Sequence, residues 1–174
     1  MDIPLHLHRW ERRSFDWTAA AVAGFAGGAV LMALELLWSA FAPGTAGAWR
    51  LSQMVAAILL GPEAMWATPQ VFDLGTVATA LVTHYMLGIG FGLVLGFVAA
   101  GLHGDDNTAT LVGLGAVFGL VLYGLNFHGM VHWFPWFAEL QGIGTAIAHM
   151  VFGVTAAVLY RRLARPPTEA HRPM

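Results

Sequence analysis

Four apolar runs, near residues 18–42, 75–101, 109–134 and 139–163, constrain this chain more than any other feature. Each approaches or exceeds the roughly 20 residues that cross about 30 Å of hydrocarbon at about 1.5 Å per residue. With 57% hydrophobic and only 10% charged residues over 174, the composition also belongs in a bilayer. The expected fold is all-α, an integral-membrane antiparallel four-helix bundle forming one domain over 1–174, with tails at 1–16 and 164–174. The partner that this composition demands is lipid.

Charge placement sets the expected orientation. Lys is absent, and seven of the eight Arg lie in the tails: Arg9, Arg12 and Arg13 before the first run, Arg161, Arg162, Arg165 and Arg172 after the last. By the positive-inside rule both termini are cytoplasmic, as an even span count requires. A net charge of −2, with all Arg but Arg50 in the tails, does not suggest nucleic acid, and none is expected as a partner. Having no Cys excludes disulfides and thiolate chemistry. Ala40-Phe41-Ala42 has the spacing of a signal-cleavage site, but the run before it is about 24 residues, longer than the roughly 7–15 of a signal core, so it reads as a retained span.

Polar residues inside the runs fall on defined stripes. In the first span, opened by Asp16 or Thr18 as cap, Gly24, Gly28, Leu31, Glu35 and Trp38 share a helical face. Glu35 therefore lies on the glycine face, where membrane helices meet their neighbours. Between the Pro43-Gly44 and Thr68-Pro69 breaks, Leu51–Leu60 is too short to span and reads as an interfacial helix over about 50–61, flanked by Trp49, Arg50 and Trp66. The second span, starting near Asp73, carries Ala80, His84, Gly88, Gly92 and Gly96 at four-residue spacing. The short turn 101–107 makes spans two and three antiparallel neighbours.

In the third span Gly115, Gly119, Tyr123 and Asn126 form one stripe, and Gly124, His128 and His132 form another about 200° away from Asn126. Such a helix is either central in the bundle or meets a second protein. Trp133, Phe134, Trp136 and Phe137 make an aromatic belt, with Pro135 closing the helix. The fourth span aligns Gly142, Thr145 or Ala146, His149, Gly153 and Ala157, and ends on Tyr160-Arg161-Arg162 as an interface anchor.

The two halves repeat. Gly24, Gly28 and Glu35 align with Gly115, Gly119 and Asn126; His84 and Gly88 align with His149 and Gly153. Two repeated hairpins imply a pseudo-twofold along the membrane normal. By depth, Glu35 and His128 lie roughly 8–10 Å below the outer surface and His84 and His149 roughly 13–15 Å. Ionisable groups there cost about 2.5–3.5 kcal/mol each unless paired, so one shared site in the outer half is the economical arrangement.

Three chemistries fit such a site. Glu35, His84, His128, His132 and His149 offer a proton relay or ligands for a divalent transition metal, with Tyr123 and Asn126 as further polar core. His84 and His149, at equal depth beside glycines, offer axial ligands for a haem b electron carrier. With no cofactor at all, hydrogen bonds satisfy each polar group and the chain is an accessory or structural subunit of a larger complex. The His6 and His8 pair in the tail reads as solvated. Ser14, Ser39 and Ser52 stand in no nucleophile motif, and an enzyme is not the leading expectation, although metal-bound water stays open.

The run from Tyr123 to Phe137, followed by PWFAEL, together with AHMVFG in the fourth span, resembles a family of small, uncharacterised four-span bacterial inner-membrane proteins. Some of these carry the label "sodium:proline symporter". The resemblance covers mainly the third and fourth spans and implies fold and inner-membrane location, with no residue role attached. The expected function is that of a small inner-membrane protein handling a proton or metal cation, serving transport. As so small a bundle encloses little volume, that role calls for a homo-oligomer or a larger complex.

Overall fold

A computed structural model describes residues 15–41, 47–66, 72–101 and 107–164. The tail residues His6, His8, Arg9, Arg12, Arg13, Arg165 and Arg172, the 43–44 and 68–69 breaks, Ala42 and most of the 101–107 turn lie outside the described residues. Among the described residues five α-helices follow in order: α1 Trp17–Phe41, α2 Gly47–Leu60, α3 Leu74–Gly101, α4 Thr108–Gly124 and α5 Ile143–Leu163. No strand occurs among the described residues. α1, α3, α5 and α4 with its extension to His132 are long and apolar enough to cross a membrane, and the chain is a multi-pass helical membrane protein.

Short polar side chains start the helices. Asp16 Oδ1 accepts from the Ala19 N–H (2.9 Å), Asp73 Oδ1 from Thr76 (2.7 Å) and Asn107 Oδ1 from Ala109 (2.9 Å). Each satisfies a first-turn donor that the helix cannot. Gly61, at φ +89°, stops α2 and hands the chain to a 3₁₀ turn at Pro62–Met65, a conformation that costs a residue with a Cβ.

Glycine decides which helices meet. A Cβ at Gly24 would collide with the backbone of Gly88 and Gly92, and α1 packs on α3 along that ridge. Across the second hairpin a Cβ at Gly115 or Gly119 would collide with the backbone of Gly153 or His149, and α4 packs on α5 there. The aligned residues therefore occupy equivalent crossing points in both hairpins, which is how small residues let helices approach in lipid. Between the hairpins the symmetry fails. α1 packs extensively on α5, whereas its counterpart pair, α3 and α4, scarcely touch. The expectation that spans two and three are packed neighbours is thus corrected: their turn joins them, but α1 and α5 form the centre and α4 lies at the flank against α5.

At the end of the bundle where residues 15 and 164 lie the interior is apolar and closely packed. Ala19, Ala20, Ala23, Leu95, Ala99, Leu111, Ala156, Ala157 and Tyr160 form one buried cluster. Tyr160 belongs to it, its ring tilted against Phe15 at 6.2 Å, instead of anchoring an interface as its place beside two Arg suggests. A second cluster, Leu31, Leu122, Ala148 and Phe152, lies one layer further along.

The far end departs from regular helix. α4 gives way to a π turn at Leu125–Gly129, a 3₁₀ turn at Met130–His132 and another at Pro135–Leu140. The span expected over 109–134 thus ends as an α-helix at Gly124, and the helix expected from 139 begins at Ile143. Widening the turn frees the Phe127 carbonyl, and the Gln141 side-chain amide donates to it. α2 buries Gln53, Met54, Ala56 and Ala57, packs along α3, and accepts at the Met54 carbonyl a bond from the Trp136 indole (3.0 Å). The expected interfacial helix is thus a roof, docked on the bundle through one face while Trp49, Leu59 and Leu60 stay exposed.

Candidate functional site

Beneath that roof lies a chamber of about 130 Å³. α1 contributes Gly28, Leu31 and Glu35, α3 His84, Gly88 and Phe91, and α4 with its π turn Leu122, Asn126 and Phe127. α5 adds His149 and Phe152, while Leu51, Val55 and Ile58 of α2 and Phe137 close it from above. The walls are overwhelmingly apolar. Their polar groups are Glu35, His84, Asn126 and His149, the two aligned pairs of the internal repeat.

Hydrogen bonds fix the two imidazoles differently. His84 Nε2 lies 2.8 Å from the Gly28 carbonyl across the α1–α3 crossing, and His149 Nδ1 lies 2.9 Å from the Thr145 carbonyl one turn back in its own helix. A carbonyl only accepts, so each of those nitrogens carries its hydrogen. In the neutral rings Nδ1 of His84 and Nε2 of His149 are left as acceptors. His149 is buried, its ring edge-on to Phe127 at 5.2 Å and near Tyr123 at 6.3 Å. Neither Glu35 nor Asn126 has a hydrogen-bonding or charged partner among the described residues.

A second, more polar cavity of about 270 Å³ adjoins the first at the α2 end. Glu35, Leu51 and Leu140 line both, and Trp38, Ser39, Glu139, Gln141 and Thr145 complete the polar side. Glu35 thus stands on the boundary between chamber and vestibule. Trp38 covers Gly144, where a Cβ would strike its indole, so the glycine admits the ring that walls the vestibule.

His128 and His132 do not join the site. Both are exposed, and the His128 ring lies edge-on to Tyr123 at 5.4 Å. The π turn breaks the 100° progression that placed them on one stripe with Gly124. Tyr123 is half-buried beside the chamber without lining it. Among the described residues no three of Asp, Glu and His gather around a point that could hold a metal ion, so the five-residue metal set is not assembled. For haem, a chamber of about 130 Å³ falls well short of the roughly 300–1,000 Å³ of cofactor pockets. The aromatic belt also divides: Trp133 is 74% exposed, Trp136 ties α2 down, and Phe137 is buried as part of the roof.

One ion pair of the site had no expectation attached. Arg50 on α2 grips Glu139 with two bonds, Nη2 to Oε1 at 2.7 Å and Nε to Oε2 at 3.3 Å, and donates to the Met65 carbonyl at 3.1 Å. The signal was present in the sequence. Arg50 is the one Arg outside the tails, and Glu139 the one acid between Asp106 and Glu169.

Comparison with protein-family profiles, with curated proteins and with solved structures finds no match to this chain. Fold and geometry themselves define its class: a multi-pass helical membrane protein whose bundle holds a roofed, mostly apolar chamber with a carboxylate at its mouth.

Proposed function

We propose that this chain is a small inner-membrane protein, with cytoplasmic termini, that exchanges protons between the outer face and an intramembrane Glu35–His84–His149 site in the service of transport. The orientation follows from the Arg-rich tails, which put the apolar cluster on the cytoplasmic side and α2 outside. The observation that carries the reading is the position of Glu35, shared by a polar vestibule and an apolar chamber with two imidazoles behind it. A carboxylate inside a span costs about 2.5–3.5 kcal/mol. A purely structural polar core would pair it with a donor, and among the described residues Glu35 has none. A proton is favoured over a metal because single acceptors suffice for it. Full passage needs the apolar cluster to open, and an oligomer or larger complex supplies the remaining surface.

The test is proton flux in vesicles reconstituted with the full chain, read by a trapped pH-sensitive dye under an imposed potential. Wild type should move protons faster than protein-free vesicles, and Glu35→Gln should not. Equal rates for wild type and empty vesicles would defeat the proposal. The accessory-subunit reading draws on the His84–Gly28 bond, which ties α1 to α3 whatever else the ring does. It gains if Glu35→Gln, His84→Asn and His149→Asn all leave every functional readout of the native membrane unchanged.

A further inference from the structure

We infer that the chamber binds a small ammonium-type cation: a positively charged nitrogen bearing N–H donors, with at most a short apolar body. The inference rests on the chamber being the working site, as proposed above, and names what it would take besides a proton.

The first argument is hydrogen-bonding complementarity. Once His84 has given its Nε2 hydrogen to Gly28 and His149 its Nδ1 hydrogen to Thr145, what remains on these rings accepts. The Glu35 carboxylate, when ionised, only accepts, and only the Asn126 amide offers both roles. A lining so biased toward acceptors suits a ligand made of donors, which an ammonium group is. Anions and carbonyl compounds would meet lone pairs.

The second argument is the wall. Phe91, Phe127, Phe137 and Phe152 surround the chamber, and the faces of aromatic rings attract cations that have shed part of their hydration. A transition metal prefers three or four close ligands, which the described residues do not gather, and a strongly hydrated metal ion gains little from phenyl rings. An alkylammonium ion gains from both the rings and the carboxylate.

Size suits a small ligand: a chamber of about 130 Å³ has room for ammonium, methylammonium or ethylammonium. Access is through the larger polar vestibule, where Glu139 is paired to Arg50 and Glu35 is the carboxylate without a partner among the described residues.

The experiment is equilibrium binding of radiolabelled methylammonium to the purified full chain in detergent at fixed pH. Saturable binding is expected, displaced by ammonium and not by sodium, zinc or tetramethylammonium, which lacks N–H donors. Glu35→Gln, a near-isosteric change, should weaken binding about ten- to a hundredfold, the range of a charged hydrogen bond. Phe91→Leu, which keeps the wall apolar, should weaken it about two- to fivefold. Circular dichroism and gel-filtration profiles matching wild type qualify each variant. Absence of saturable methylammonium binding to wild type, or tetramethylammonium binding as tightly, overturns the inference. If proton flux persists without amine binding, this inference fails alone; if amine binding persists without proton flux, the proton reading fails alone.

Discussion

The ring of His84 and the backbone of Gly28, 56 residues apart, are joined by a 2.8 Å bond at the crossing of α1 and α3. It is a specific polar link between two helices that otherwise meet through glycine ridges, apolar side chains and the stacked Phe25 and Tyr85 rings. Replacing His84 with Ala should lower stability by about 0.6 kcal/mol and at most about 1.7, the range of interhelical hydrogen bonds in membranes. Thermal unfolding in a fixed detergent measures this. That bond and the His149–Thr145 bond set the two tautomers, so nitrogen NMR of the neutral rings should find the proton on Nε2 of His84 and on Nδ1 of His149. Finding the reverse at either ring would overturn the acceptor pattern of the chamber.

Glycine substitutions should divide sharply by position. Gly119→Ala puts a methyl into the His149 backbone, and Gly24→Ala puts one into Gly88 and Gly92, so each should cost about 1–3 kcal/mol as overpacking. Gly113→Ala on the open face of α4 meets nothing within 4 Å and should be neutral or mildly stabilising. Unfolding midpoints of the three variants, measured side by side, check this ordering.

The Arg50–Glu139 pair holds the roof. Its side chains are 23% and 45% exposed, so Arg50→Ala should cost no more than about 1 kcal/mol globally. Its local effect should be larger, because the pair and the Trp136–Met54 bond, together with Trp136 and Leu140 packed against the Met54, Ala57 and Met65 cluster, fasten α2 to the far hairpin. Hydrogen exchange at 47–60 should rise in Arg50→Ala and in Glu139→Gln, with no added effect in the double variant. Unchanged protection of α2 in both would mean that packing on α3 alone seats it.

Asp73 supplies a pH-dependent term outside the spans. The Thr76 backbone N–H, and then the Thr76 hydroxyl, stabilise its carboxylate and hold its pKa below the ordinary value. A group lowered in the folded state contributes stability above its unfolded pKa and loses it as pH falls through the folded one. Asp73→Ala should therefore unfold at lower temperature than wild type at neutral pH, and the gap should close as the solution is acidified below the carboxylate range. A gap independent of pH would assign the cap to geometry alone.

Much of the hairpin interior was legible in the sequence. Four-residue glycine spacing needs no tertiary information to predict a close helix crossing, and it identified Gly24, Gly88, Gly115 and Gly153 correctly. The depth argument grouped Glu35, His84 and His149, which line one chamber, but it set His128 among them and kept Asn126, which also lines the chamber, only as further polar core. What stayed hidden depends on contacts between segments. Nothing in the α3 and α4 patterns says that α1 and α5 fill the centre, because in lipid helix partners are chosen by fit between faces that look equally apolar. The π turn depends on Gln141 reaching Phe127, 14 residues away, and without it His128 and His132 keep a stripe that the real helix dissolves. Tyr160 shows the same limit: a neighbouring pair of Arg suggested the interface, while ring packing with Phe15 took it inside.

The apolar layer of Ala19, Ala20, Ala23, Leu95, Ala99 and Leu111 also shapes the electric field. A voltage drops where the medium polarises least, so if the proposed site is reached by water from the α2 end, most of the membrane potential falls across that alanine-rich half. A full crossing is worth about 2.3 kcal/mol per charge per 100 mV, but a charge arriving at Glu35 would traverse only the remaining, shallow part of the drop. In the proposed orientation, occupancy at the carboxylate would follow concentration on the α2 side and be nearly indifferent to voltage, while any step through the alanine layer would carry almost the whole electrical work.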